Sequence, residues 1–254
     1  MKKIIVWLIM SMLFASCEKS DSDPDVDTTD KNSFLVDKIY DYHDTLIGEF
    51  YYNDKNQLIK ALWDTHYDYF AYENDRVKEI RRVVTNYDNI GITTTNLYYD
   101  NHGRIIKVGY NGAEPVTTYS YLPNGLLDLP GIEYDENSNI VRFSQILTDP
   151  DPMGGPEKFE WIGEYEYDEM LKPNFGIGDI FIYSPLFNYS TDAQIPNNLS
   201  LNNITKFSIK GQPVSTYIYK YNKHGLPISI ETKWEGIETV EPMIWKLRYK
   251  KIIE

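Results

Sequence analysis

The chain has one cysteine among 254 residues, and it sits at position 17. No disulfide can form within such a chain, so stability must come from core packing and sheet hydrogen bonds. Histidine is scarce as well, with four copies, and no His-Glu-x-x-His or paired-cysteine spacing for zinc occurs. No Gly-x-Ser-x-Gly elbow, phosphate-binding loop or dinucleotide fingerprint is present, so no cofactor is expected. Beyond residue 33 no stretch shows helical periodicity. The one long apolar run lies at the very start, from Ile4 to Phe14, broken only by Ser11. It is shorter than the roughly 20 residues needed to span a bilayer. Basic charge is also in deficit: the net charge is -13, and it becomes -15 once residues 1–16, with Lys2 and Lys3, are removed. An acidic chain is a poor partner for nucleic acid, because neutralising phosphates takes Lys and Arg.

The leader is informative in what it does contain. Lys2 and Lys3 precede the apolar run, which ends in Leu13-Phe14-Ala15-Ser16-Cys17. Small residues before a cysteine resemble the bacterial lipobox, in which the thiol is acylated and the signal peptide is cut off. Residues 1–16 are therefore expected to be a lipoprotein signal peptide, with Cys17 the site of lipid attachment and the membrane the first partner. Phe14 stands where that motif prefers Leu. Residues 17–33 are acidic and polar, and read as an extended tether. They resemble the tails that follow the lipidated cysteine in gut-type anaerobes. That resemblance implies an outer-membrane lipoprotein, with display on the cell surface favoured over the periplasmic face. Residues 34–254 form a single domain.

That domain alternates in the manner of strands. Thr216 to Tyr221 places three tyrosines on one face, Glu164 to Tyr167 separates carboxylates from rings, and Tyr67-Asp68-Tyr69 repeats the pattern. Tyrosine, a strong strand former, occurs 22 times. A repeat recurs: an aromatic strand ending in Tyr, an Asn/Asp-rich turn, then an aliphatic strand. Clear copies run Phe50–Ile59, Leu97–Ile106 and Tyr219–Ile228, with weaker ones beginning at Tyr72, Tyr121 and Tyr134. Asn and Asp close turns with their side chains, and Gly103, Gly125 and Gly225 supply positive φ. The pattern predicts an all-β domain, an antiparallel meander of repeated hairpins curled into an open or barrel-like sheet. A membrane-spanning barrel is disfavoured, because outward positions such as Glu164 and Glu166 carry charge where lipid demands an apolar band. Between Pro173 and Asn203 the repeat stops. This stretch is expected to be a long excursion capping one end of the sheet, with a strand at Ile180–Tyr183 and a helical turn at 184–187. Loops of that length are often functional.

Tyr99 to Ile106 (Tyr-Asp-x-x-Gly-Arg-Ile-Ile) resembles the YD repeats of RHS-type proteins, which wind as hairpins into a curved sheet. The whole layout is similar to that of uncharacterised bacterial lipoproteins described as having a porin-like fold. The resemblance implies the fold and no activity.

Functional candidates follow from residue chemistry. Trp63, Trp161 and Trp234 could stack on sugar rings as a ligand-binding set, although rings in so aromatic a chain also fill cores. Glu164, Glu166 and Asp168 could supply a carboxylate pair for glycan hydrolysis, which needs two carboxyls facing one sugar. His66, among Asp64 and Asp68, reads as an exposed strand end rather than a cation ligand, and Asp149 and Asp151 read as loop punctuation. The primary expectation is a non-catalytic envelope protein that binds a glycan or an envelope protein. The alternatives are a glycan-processing enzyme and a purely structural component. No metal is expected.

Overall fold

The computed structural model describes residues 33–86, 89–115, 117–149, 157–178, 180–183, 199–237 and 243–252. Within them the chain is all-β. Its strands are β1 (Phe34–Tyr40), β2 (Leu46–Tyr52), β3 (Leu58–Trp63), β4 (His66–Glu73), β5 (Arg76–Asn86), β6 (Asn89–Tyr99), β7 (Ile105–Tyr110), β8 (Thr117–Thr118), β9 (Ser120–Tyr121), β10 (Leu127–Asp128), β11 (Ile132–Tyr134), β12 (Ile140–Asp149), β13 (Glu157–Leu171), β14 (Asn202–Ile209), β15 (Ser215–Tyr221), β16 (Pro227–Trp234) and β17 (Met243–Lys251). Chain neighbours pair antiparallel throughout, except between β8 and β9 and between β10 and β11, and β17 returns to pair with β1. One 15-stranded sheet runs from β11 through β17 and β1 to β8, and the short hairpin β9–β10 fills the gap between its edges. The expected curled meander is the observed fold.

The repeat explains how the ring holds together. In hairpin after hairpin the tyrosine before the turn pairs with the aliphatic residue after it, and the next aliphatic-strand residue is bulged out: Ile59, Lys78, Ile106, Val141 and Ile228 are the extra residues. Bulges at a barrel rim raise the local twist and re-aim side chains. At Tyr52, Tyr72, Tyr99 and Tyr134 the phenol beside the bulge reaches the neighbouring hairpin, and other tyrosines of the ring do the same. Tyr52, Tyr72, Tyr99, Tyr121, Tyr134, Tyr167, Tyr219 and Tyr249 donate in turn to the carbonyls of Val36, Leu58, Val77, Ile105, Leu127, Ile140, Ile204 and Pro227. These eight links close a circle. Tyr134 crosses the seam between β10 and β11, where ladder pairing stops. Burial pushes the ladder phenols up, Tyr99 to about 12, so each stays a donor at neutral pH.

In four of the repeats the residue after the tyrosine closes its own turn. Asn53, Asp100, Asp135 and Asn222 each accept, through Oδ1, the amides two and four residues on. Gly103, Gly125 and Gly225 have positive φ, as do Asn56 and Ser138 in the corresponding turns. Asp168 shows the same chemistry on a larger scale. Its Oδ1 accepts from the Met170 amide and, in place of the residue four on, from the Asn203 amide across the excursion. The Asn203 amide group also reaches Asp168 Oδ2, as Asn139 reaches Asp135. The excursion is thus an insertion into one repeat turn whose closing bonds are retained.

The inward face of the ring is apolar. Val36, Leu58, Val108, Ile140 and Ile204 are fully buried in one continuous core. The insertion does not merely cap this core but enters it. Phe175, Ile180, Phe181 and Tyr183 are buried members of the cluster. The Asn174 and Gly176 carbonyls accept from the Val36 and Leu58 amides near the turn rim, and Phe181 meets Tyr119 edge-on. Ile180–Tyr183 forms a turn rather than a strand. A ring of so many strands would leave an open lumen if nothing filled it. Here the inserted segment and the inward side chains do. The outward face carries ion pairs such as Lys38–Glu49, Arg142–Glu133 and Lys206–Glu166. That polarity is the reverse of a membrane-spanning barrel, whose lipid-facing band is apolar and whose lumen is polar.

Candidate functional site

The turns that close the repeats gather at one rim. Four of them, those following Tyr72, Tyr99, Tyr121 and Tyr134, surround a cleft of about 660 Å³ whose far wall is the insertion, residues 176–178, 180, 181 and 199–201. The four ladder tyrosines line it together with Val77, Ile105 and Leu127. The volume lies in the range of small-ligand sites. Cations dominate its charged lining. Arg76 lies over the Tyr99 ring at 5.7 Å, and Arg104 lies over Tyr121 at 4.6 Å while paired with Asp100. Lys172 adds a third. Asp75 is the sole carboxylate lining the cleft among the described residues, and Lys55 holds it. Gly103, at φ +82, lets the Arg76 guanidinium pass so close that a Cβ there would stand 2.6 Å from Nη2.

A second polar centre lies in the interior. The β4 and β5 register sets Asp68 opposite Arg82, both pointing inward. Asp68 is 0% exposed and takes the guanidinium through both oxygens, at 2.8 and 3.0 Å. The Tyr183 hydroxyl, carried in by the insertion, donates to Oδ2 at 2.9 Å. Burial and then the neighbouring carboxylate push the Tyr183 phenol far up, so it remains a donor. His66 completes the group. Its Nε2 stands 3.6 Å from Asp68 Oδ2 without a hydrogen bond, and its ring stacks on Trp63. Burial first, and the Arg82 charge second, lower the His66 pKa. His66 therefore belongs to the interior, although the sequence placed it at an exposed strand end. Nothing in the local pattern carries that information, because Arg82 and Tyr183 come from distant segments. Among the described residues no group of three or more metal-ligating side chains forms.

The expected ligand-binding tryptophans all take inward positions away from the repeat turns. Trp161, 6% exposed, packs between Phe143 and Phe207. Trp63 packs edge-on against Phe50, with its indole N–H buried and unpaired. Trp234 is partly exposed at the end of β16, opposite Ser215. They do not share an exposed platform. Glu164 and Glu166 lie on the outward face of β13, facing Arg142 and Lys206 across the register, while Asp168 turns to Asn203 and Tyr221. The three carboxylates therefore do not converge on a cleft. Cys17, the tether and residues 150–156 with Asp151 lie outside the described residues, as does the turn expected at 184–187. The cleft arginines went unnoticed in the sequence. The available signal was the recurrence of a basic residue after the turn, Arg76 and Arg104, in adjacent repeats.

No protein-family model matches this chain, and no curated protein matches it. Among solved structures, a porin-like protein from Bacteroides uniformis is 14% identical over 86% of this chain and 97% of that one, with a TM-score of 0.42. The Photorhabdus luminescens Tc holotoxin pore is 10% identical over 78% of this chain and 10% of that chain, with a TM-score of 0.25. TcdB2-TccC3 is 11% identical over 83% of this chain and 13% of that one, with a TM-score of 0.27. At these scores the likeness carries no argument, and the fold stands on the strand pairing and the tyrosine ring.

Proposed function

We propose that the chain is a non-catalytic, YD-repeat-like lipoprotein of the bacterial cell envelope, anchored by acyl chains on Cys17, and that it binds a saccharide ligand in the turn-rim cleft. The cleft carries this reading. It is lined by four tyrosines, by guanidinium groups and by the Gln57 and Asn137 amides, side chains of the kind that pack on sugar rings and hydrogen-bond their hydroxyls. Among the described residues its one lining carboxylate, Asp75, is tied to Lys55, whereas glycan hydrolysis takes two carboxyls facing one sugar. The frame is rigid and repetitive, whereas the insertion is irregular and forms one wall, the usual division between scaffold and binding loop. β1 begins at Phe34 on this same rim, where Ile252 N bonds Ser33 O. A tether joined to Phe34 would hold this rim towards the anchoring membrane.

Two measurements test the proposal. Replacement of Cys17 by Ala should move the protein from the membrane to the soluble fraction, and retention in the membrane would refute the anchor. A glycan array probed with the wild type and with Arg76→Ala should show hits that the substitution weakens. Hits unchanged by Arg76→Ala but lost with Trp234→Ala would move the site to the tryptophans. An array without hits would leave the protein-partner and structural roles as the competing readings.

A further inference from the structure

A separate surface carries a ligand chemistry of its own. On the outward side of the sheet, the register aligns Tyr51 with Lys60, Lys60 with Tyr69, and Tyr69 with Arg81, one residue from each of β2, β3, β4 and β5. Ring and cation alternate at the strand spacing, so the row extends for about 14 Å over three intervals of roughly 4.8 Å. The cations in it are held by rings. Lys60 Nζ stands 5.8, 5.8 and 5.3 Å from the ring centres of Tyr51, Tyr67 and Tyr69, and the Arg81 guanidinium lies 5.2 Å from Tyr69. On the same face Arg248 of β17 lies 4.6 Å over Tyr40. Among the described residues no carboxylate pairs with Lys60, Arg81 or Arg248. A cation resting on a ring keeps its full charge and its N–H donors, unlike one neutralised by an acid. The carboxylate nearest the row, Glu49, accepts from the Tyr51 hydroxyl and is paired with Lys38, while the outward face of β11 to β13 bears Glu133, Glu160, Glu164 and Glu166.

We propose that the outward face formed by β17 and β1 to β5 binds a carboxylated polysaccharide along the row from Tyr51 to Arg81. Tyrosine faces pack against pyranose rings, the Arg81 guanidinium takes a carboxylate through two parallel N–H donors, and Lys60 takes the next as a point charge. The alternation favours a polymer with a repeated ring and a repeated acid over a lipid surface, which needs charge and apolar depth without such order. Sheet pairing fixes the row before the ligand arrives, which lowers the ordering cost of binding. This surface is independent of the turn-rim cleft.

The test uses the full chain purified in neutral detergent, with polygalacturonate and its methyl ester as probes in biolayer interferometry. The wild type is expected to bind polygalacturonate in a salt-sensitive manner and the methyl ester about tenfold more weakly or worse. Lys60→Met with Arg81→Gln, which removes charge but keeps bulk, should weaken polygalacturonate binding by about tenfold. Lys206→Met, on the outward face of β14 and outside both sites, should leave it unchanged. The proposal is overturned by equal binding of acid and ester, by undiminished binding in the double variant, or by no binding of the wild type. Equal or tighter binding to phosphatidylserine vesicles would also overturn it, because the face would then be a lipid surface. Self-association in sedimentation that the double variant abolishes would overturn it too, because the acidic face of a second copy would then be the occupant.

Discussion

Replacing Arg82 by Met should be among the most damaging single changes this domain can suffer, and removing Asp68 at the same time should repair part of the damage. Asp68 is 0% exposed, and Arg82 supplies two of its hydrogen bonds. With Arg82 gone, the carboxylate keeps the Tyr183 hydroxyl and a His66 nitrogen at 3.6 Å, at a position with no exposed surface in the native fold. An uncompensated buried charge of this kind costs about 3–5 kcal/mol, a large share of the roughly 5–15 kcal/mol by which domains are stable. Asp68→Asn should cost less, about 1–3 kcal/mol, because the Arg82 side chain is 37% exposed and can turn to solvent. The double variant leaves no stranded charge, so its cost should fall below that of Arg82→Met alone, with a coupling of about 1–3 kcal/mol. Urea unfolding of the four proteins, followed by tyrosine fluorescence and far-ultraviolet dichroism, measures the cycle. A cost under about 1 kcal/mol for Arg82→Met would refute the account, as would strict additivity of the two singles.

Three further outcomes are expected. Tyr99→Phe deletes one link of the tyrosine circle and should cost about 0.5–1.5 kcal/mol in the same unfolding assay, without changing the m-value; a neutral result would mean that the Val77 carbonyl finds another donor. Burial depresses the His66 pKa below its unfolded value of 6.5, so the unfolded state takes up the proton first. The stability due to this residue should therefore be complete above pH 6.5 and decline as pH falls from there through the folded pKa, a slope that His66→Gln should flatten in melting curves from pH 7 to 5. Gly103→Ala at φ +82 should cost about 1–2 kcal/mol and displace the Arg76 guanidinium, which a lowered melting temperature with weakened cleft binding would show.

The repeat was readable from the sequence because its parts are local. Tyr99, Asp100 and Gly103 satisfy one another's backbone within one hairpin, so their spacing alone announces the turn. The circle of phenols was not readable as such. Each hydroxyl is received by a carbonyl of the adjacent hairpin, 7 to 27 residues away in chain for those from Tyr52 to Tyr167. The candidate tryptophans show the same limit from another side: a ring suited to a sugar is equally suited to a core, and Trp161 was taken by the core.

Alternation of period two determines that Tyr67 and Tyr69 share a face opposite to Asp68, but it carries no sign. Rings inward and carboxylate outward is the natural guess, and it holds at Tyr165 and Tyr167, yet β4 does the reverse. The register with β5 decides it, by bringing Arg82 to Asp68 and leaving Tyr67 and Tyr69 outside beside Lys60. The sequence by itself determined the repeated hairpins, their turns and their antiparallel sense, since each follows from contacts within one hairpin. Only the tertiary structure decided which face of β4 points in, that β17 returns to β1, and that an insertion in one turn fills the ring. Those outcomes depend on groups far apart in the chain, whose burial and charge are balanced only once the ring closes.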